Sequence, residues 1–205
     1  PRRDETKRDE TKNDDFGLSG GQKRLLGARF AKEENDGVNR PIEQCYWVVP
    51  GRFLAGEYPR NVDERSSPEK IDALLHAGVT TFIDLTEESE LHPYSGLMGT
   101  AASHQRFPIR DRSVPKSLEA TVAILDTIDR SIADGGQVYV HCWGGVGRTG
   151  VIVGCWLARH GFPGEQALVR LRELWRQCPK SRYRQSPETG EQEQYVLHWM
   201  EAGSR

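Results

Sequence analysis

The sequence is informative first for what it is short of. No run of 18 apolar residues occurs among its 205, which leaves no candidate for a membrane-spanning helix. No charged-then-apolar leader opens it, so it reads as non-secreted. Cysteine is scarce: four residues, at 45, 142, 155 and 178, do not make a disulfide framework in a chain of this length. Charge of one sign is lacking too. The 28 Lys and Arg face 30 Asp and Glu, for a formal charge of −2 and a pI near 6.4, which offers no general footprint for nucleic acid or an anionic membrane. Together these absences predict a soluble protein of a reducing, cytoplasmic setting.

With 36% hydrophobic residues the chain has room for one α/β domain and a tail. The tail, residues 1 to about 40, opens on a tandem pentapeptide, Arg3-Asp4-Glu5-Thr6-Lys7 followed by Arg8-Asp9-Glu10-Thr11-Lys12. It stays polar and glycine-dotted, with too little apolar surface to offset its ordering entropy, so a flexible extension is expected. Only Leu25, Leu26 and Phe30, at a helix-compatible spacing, offer a way to dock it on the domain.

From about 41 to 205, strand signals alternate with helix signals. Cys45–Val49 and Phe53–Ala55 read as strands around the turn Pro50-Gly51. Ser67-Pro68 opens a helix carrying Ile71, Leu74 and Leu75, with Gly78 as its stop. Val79–Leu85 is a strand ending in an acidic cluster of Asp84, Glu87, Glu88 and Glu90. Leu91–Ser103 reads as an irregular surface loop, and His104–Ile109 as a short strand. Ser117 caps a helix whose Leu118, Val122, Leu125, Ile128 and Ile132 recur at three and four. Gln137–Val140 is a strand, and an apolar helix follows over 151–158. Leu168, Leu171, Trp175 and Cys178 mark another amphipathic helix, and Ser186–Thr189 precedes a last one bearing Tyr195, Val196 and Trp199. This order predicts an α/β fold with a central, mainly parallel sheet flanked by helices and a site at the strand C-terminal ends.

One junction carries the chemistry. Between the 137–140 strand and the apolar helix lies His141-Cys142-Trp143-Gly144-Gly145-Val146-Gly147-Arg148-Thr149-Gly150. A glycine-rich turn running into a helix N-terminus aims backbone N–H groups at one point and makes an anion cradle. Such surroundings favour the thiolate of Cys142. Arg148 supplies a planar fork that matches two phosphate oxygens. A buried structural cysteine beside a turn leaves the glycines and the arginine unexplained.

His-Cys, five residues, Arg and Thr, inside that strand–loop–helix, resembles the phosphate loop of the cysteine-dependent phosphatases, the protein tyrosine and dual-specificity superfamily. The resemblance implies a phosphocysteine intermediate and no cofactor or metal. It implies Cys142 as nucleophile, with Trp143, Gly144, Gly145, Val146, Gly147 and Arg148 binding the phosphate. Asp111, in Phe107-Pro108-Ile109-Arg110-Asp111-Arg112, resembles the general acid that lies roughly thirty residues before the cysteine in dual-specificity enzymes. An aspartate merely paired with Arg110 or Arg112 is the alternative. Thr149 stands where the family hydrogen-bonds the departing thiolate, and His141 where it braces the loop. Gln192 resembles a water-positioning glutamine, although the first glutamine's place holds Glu188; otherwise it is an ordinary exposed helix residue.

No lysine occurs in 143–147, and Trp143 and Val146 present an apolar face, which favours a phosphorylated side chain of a protein. Arg110, Arg112, Lys180, Arg182 and Arg184 would hold a second phosphate only if they converge on the mouth. Converged, they favour an inositol phosphate or an RNA 5′ end; dispersed, they are surface charge. A non-catalytic phosphate reader is the third reading, and intact Cys142, Arg148 and Asp111 oppose it. Cys45, Cys155 and Cys178 read as packing residues, with disulfide protection of Cys142 as the other possibility.

Overall fold

In the computed structural model residues 39–60 and 67–201 are described. The expected flexible tail therefore lies, but for its last two residues, outside the described residues. Five strands form one sheet: β1 (Cys45–Val49), β2 (Phe53–Gly56), β3 (Thr81–Asp84), β4 (Ser103–Arg106) and β5 (Val138–His141), in the order β1-β2-β5-β3-β4. Only β1 and β2, joined by the tight Pro50-Gly51 turn, are antiparallel; the other three pairings are parallel. The mainly parallel sheet expected from the alternating pattern is what forms.

Side chains alternate along each strand, so two cores are built from one sheet. Tyr46, Phe53, Ala55, Ile83, Val138 and Val140 face the larger core. It is covered by α2 (Leu118–Ala133), α3 (Gly147–Arg159), α4 (Glu165–Trp175) and α5 (Gly190–Leu197). Cys45, Trp47, Leu54, Phe82 and Tyr139 face the smaller one, covered by α1 (Ser67–His76) and by the segment holding Tyr94 and Met98. α3 is buried at every residue from Gly147 to Leu157, as its all-round apolar sequence requires. It can lie that close to α5 because Gly154 has no side chain; a Cβ there would come within 2.7 Å of Val196 Cγ1.

Three local expectations are corrected. The strand expected to run to Ile109 stops at Arg106, opposite Asp84, where its partner β3 ends. Phe107 and Ile109 instead donate to the carbonyls of Asp84 (2.8 Å) and Leu85 (3.1 Å), which carries the chain over the strand ends toward Asp111. The 91–103 stretch is irregular but not merely superficial, because Tyr94 and Met98 are buried. Leu118, expected on the apolar face of α2, lies exposed in its first turn, ahead of the buried Thr121 and Ile124.

Candidate active site

Parallel pairing brings the ends of β2, β5 and β3 to one edge, with His141 in register with Gly56 on one side and Asp84 on the other. The chain then folds over its own cysteine. Cys142 is 3% exposed at the bottom of a cavity of about 390 Å³ whose floor also includes Gly144, Val146, Gly147 and Arg148. Gly145 has φ +73, and a Cβ on it would lie 2.4 Å from the carbonyl carbon of Gly56, so only glycine lets the loop pass that strand end. Three loop carbonyls are taken by outside donors. Tyr58 N–H donates to Trp143 (2.9 Å), Lys180 Nζ to Gly144 (3.0 Å) and Ser186 Oγ to Val146 (2.8 Å). In a trans peptide the N–H points opposite to the C=O, so the amides of Gly144, Gly145 and Gly147 turn away from those donors. The result is a ring of N–H dipoles at the start of α3, suited to an anion.

Arg148 is 2% exposed and held from several sides. Glu90 receives both Nη1 (2.7 Å) and Nη2 (2.6 Å) in a two-point clamp, and Ile109 O accepts from Nη1 (3.0 Å). Asp111 Oδ1 lies 3.1 Å from Nη2, so the expected acid is on the cavity wall beside the guanidinium. Burial opposes the arginine's charge, but Glu90's hydrogen bonds outweigh it and hold the group well above its ordinary value. The same burial raises the carboxyl of Glu90, and Arg148 overcomes that to bring it below the ordinary range. Asp111 itself is 57% exposed at the crest of its loop, followed by Arg112 in the left-handed region (φ +58). A non-glycine there is strained by roughly 1–2 kcal/mol, and the turn it makes keeps Asp111 facing Arg148.

Behind the cysteine is a buried polar chain. Tyr94 hydroxyl lies 2.5 Å from His141 Nε2, and Asp84 Oδ1 4.0 Å from Nδ1. Desolvation holds the Tyr94 phenol well above its ordinary value, so it is the donor and Nε2 the acceptor. Asp84, fully buried, would be raised by desolvation. Its contact with His104 (3.3 Å), the attraction of His141 and the hydrogen bonds from Thr86 (2.6 and 2.9 Å) instead bring it well below the carboxylate range, and Arg106 pairs with it at 3.0 and 3.2 Å. Desolvation also pushes the His141 imidazole down to about 4, against the pull of Asp84. The histidine is therefore neutral near pH 7, as suits a brace.

This has a consequence for stability. An unfolded imidazole takes up its proton near ~6.5, whereas the folded one stays neutral down to about 4. Protons thus bind the unfolded state first, so the contribution is complete above ~6.5 and is lost as pH falls toward 4, by roughly 3 kcal/mol in all. Asp84 loses its own contribution only below ~4, a separate window. Urea unfolding between about pH 7 and 4.5 is expected to show this slope, and His141→Gln to flatten it. A native slope unchanged in that variant would refute the assignment.

The remaining expected residues separate. Thr149 is buried at the start of α3, and its hydroxyl has no hydrogen-bond partner among the described residues. Arg112, Lys180 and Arg184 line the cavity; Arg110 and Arg182 are exposed and do not. Trp143 stands 59% exposed at the lip, while Val146 is buried below it. Gln192 is not an exposed helix residue but fully buried. Its side-chain oxygen accepts from the N–H of Glu188 (3.1 Å) and Thr189 (3.2 Å) in the capping box of α5, and its amide donates to Ser113 O (2.9 Å) on the Asp111 loop. Cys45, Cys155 and Cys178 are free and buried, and burial pushes their thiols up, Cys45 to about 12.

Glu90, Glu57 and Tyr94 are the site members that sequence reasoning missed. Glu90 had a signal, as one of four acids at a strand end, but only folding sets it apart from the exposed Glu87 and Glu88. Glu57 follows β2 and accepts from Lys180 (2.7 Å) and from Lys70, and it lines the cavity.

Comparison with known proteins agrees with this geometry. Residues 42–196 match the family model PTP-SAK, "Swiss Army Knife protein, DSP-PTPase phosphatase domain". Protein 067L of Invertebrate iridescent virus 3 is 31% identical over 122 residues, which cover 57% of this chain and 47% of that one. The dual specificity protein phosphatase CDC14B of Mus musculus is 30% identical over 138 residues, 64% of this chain and 26% of its own. The chain thus spans about half of the viral protein and about a quarter of the mouse one. The phosphatidylglycerophosphate phosphatase PTPMT1 of Arabidopsis thaliana is 34% identical over 94 residues, 45% of this chain and 28% of its own. Among solved structures, the active form of Tk-PTP superposes with a TM-score of 0.61 at 24% identity over 75% of this chain and 93% of that one, a likeness of fold. With the family model spanning most of its length, and its motif cysteine and arginine at the floor of one cavity, the chain belongs to the DSP-PTPase family of cysteine-dependent phosphatases.

Proposed function

We propose that this chain hydrolyses phosphomonoesters through a phosphocysteine, acting on phosphorylated side chains of proteins in a reducing, cytoplasmic setting. The observation that carries the reading is Asp111 3.1 Å from Arg148 on the wall of the cavity that has Cys142 at its floor. In the first displacement the Cys142 thiolate attacks phosphorus in line. The sulfur–phosphorus bond forms, the ester bond breaks, and Asp111 gives its proton to the leaving oxygen. Loop amides and Arg148 stabilise the equatorial oxygens, where charge accumulates. In the second, water attacks phosphorus, its proton passes to Asp111, and the electron pair of the broken bond returns to sulfur. Thr149, with an uncommitted hydroxyl, donates to that departing thiolate.

Asp111→Asn removes the proton donor while keeping the shape of the loop. It is expected to slow esters of poorly acidic alcohols by on the order of 10²–10⁴-fold. Nitrophenyl phosphate, whose leaving group departs as an anion, is expected to be slowed far less. A series of aryl phosphates of graded leaving-group acidity checks this; equal slowing across the series would remove Asp111 from the role.

A second reading, a phosphatase of lipid or other small phosphates, is favoured by the cavity-lining Lys180, Arg112 and Arg184 and by the Arabidopsis relative's name. The pairing of those cations weighs against it. Lys180 is held by Glu57, Arg184 is bonded to Glu188, and Arg112 lies 3.9 Å from the same carboxylate, so each already faces a protein carboxylate that a second phosphate would have to displace. Trp143 at the lip offers an aromatic face to a phosphotyrosine ring. Parallel assays of phosphotyrosine, phosphothreonine and phosphatidylinositol phosphate substrates test the choice. Efficient turnover of the lipid alone would overturn the protein-directed reading.

A further inference from the structure

One peptide of the phosphate loop is held by a charged side chain alone. Trp143 O takes the Tyr58 N–H (2.9 Å), and Val146 O takes both Ser186 Oγ (2.8 Å) and the Gly150 N–H (3.2 Å). Gly144 O takes only Lys180 Nζ, at 3.0 Å, among the described residues. The peptide that carries it lies between two glycines. Turning it over changes only ψ of Gly144 and φ of Gly145, and neither residue has a Cβ to resist. As the loop stands, the Gly145 N–H points opposite to the carbonyl, toward the cradle. Reversed, the same peptide would put a carbonyl oxygen where an anion needs a donor.

Lys180 is itself aimed by its surroundings. It sits in the short turn Pro179–Arg182 that follows α4, closed by the Arg184 N–H on Lys180 O (2.9 Å). Its ammonium also donates to Glu57 Oε2 (2.7 Å), and only 16% of the side chain is exposed. Glu57 in turn is pinned at the end of β2. Its N–H donates to Gln44 O (3.1 Å), its carbonyl accepts the Tyr139 hydroxyl (2.5 Å), and its other carboxylate oxygen takes Lys70 of α1. Gly145 passes that same strand end, since a Cβ on it would lie 2.7 Å from the Glu57 nitrogen. Carboxylate, ammonium and loop carbonyl thus form one chain of contacts along the rim.

We propose, on the phosphatase reading above, that Lys180 is a positioning residue of the phosphate loop and Glu57 its anchor. The ammonium keeps the Gly144–Gly145 peptide with its carbonyl outward and its N–H on the phosphate. Lys180 acts through that peptide and touches no substrate oxygen, so it serves a monophosphate and a polyphosphate alike.

Lys180→Met keeps the length of the side chain and removes the donor. If the competent orientation then falls to about a tenth of the population, every ligand of the loop binds ~10-fold more weakly. Saturating substrate restores the orientation, so KM for p-nitrophenyl phosphate is expected to rise ~10-fold while kcat stays close to native. Calorimetric titration with tungstate, a tetrahedral oxyanion that is not turned over, is expected to show the same loss. Lys180→Arg, which can still donate to both partners, is expected to recover most of it. Removing a positive charge from the mouth also weakens anion binding. Glu57→Gln combined with Lys180→Met leaves the net charge unchanged, and this double variant is expected to keep the tungstate loss. Native tungstate affinity in Lys180→Met, or its return in the double variant, overturns the inference. So does a fall in kcat at unchanged KM, or a loss confined to substrates that carry a second phosphate. Tungstate binding needs no turnover, so it is read separately from the phosphocysteine route, which native turnover by Cys142→Ser would end by itself.

Discussion

Cys142→Ser is expected to lower turnover of an aryl phosphate by on the order of 10⁴-fold or more while leaving phosphate and vanadate binding close to native. The two halves follow from different atoms. Bond making needs a nucleophile that is an anion near neutral pH, and a serine hydroxyl is not one without a base beside it. The residue behind it, His141, is tied to Tyr94 through Nε2 and is fully buried, so it offers the new hydroxyl no general base at the cavity. Binding depends instead on the turned loop amides and Arg148, whose partners Glu90, Ile109 and Lys180 are untouched by the exchange of sulfur for oxygen. A chromogenic assay and calorimetric titration with vanadate measure the two separately. Normal turnover would end the nucleophile assignment; lost turnover together with lost anion binding would mean a collapsed loop and no information on the chemistry.

Glu90→Ala is expected to damage both the stability of the fold and the rate of the reaction. Breaking a buried pair from one side costs roughly 3–5 kcal/mol when the surviving charge has no other partner. Arg148 keeps Asp111 and Ile109 O, and Glu90 is itself 14% exposed, so the lower part of that range is expected. The kinetic loss is expected to exceed what stability accounts for. Without its two-point clamp the guanidinium no longer sits at a set angle to phosphorus, and with Glu90 gone Asp111 becomes its main anionic partner. A fall in kcat/KM on the order of 10²-fold is expected, carried mainly by kcat. Glu90→Gln, which preserves shape and can accept only through one oxygen, is expected to fall between. Thermal unfolding and steady-state kinetics on the folded variant check both halves, and a Glu90→Ala protein with native kcat would show that Arg148 needs no clamp.

The parts of the site legible in the sequence are those that lie close together along the chain. Residues 141–150 are contiguous, so spacing alone specifies a strand end, a turn and a helix start, and the glycines mark where the backbone must come close to something. Asp111 was legible because its stretch, about thirty residues before Cys142, resembles the general-acid loop of dual-specificity enzymes. Glu90 was not, because four acids within seven positions look alike until folding buries two of them. Nor was the true surroundings of Gln192 legible. Periodicity places it near the start of a helix, but whether that helix end meets solvent or the Asp111 loop is decided by how α5 packs on α3. Among the five basic residues flanking the site, sequence has no means of telling Lys180 and Arg184 from Arg182, since a single irregular turn rotates the middle one away.

What the sequence determined by itself is therefore the local hardware: a thiol at a strand end, a glycine-rich loop, an arginine at a helix start, and enough alternating strand and helix to make a mainly parallel sheet. Those follow from short-range sterics and hydrophobic period, which act over a few residues. What the tertiary structure alone decided is which charges meet. Glu90 reaches Arg148 across 58 positions, and Gln192 reaches Ser113 across 79. Such pairings cost desolvation and gain Coulomb energy only once the chain has brought both partners out of water together, so nothing local in either segment encodes them.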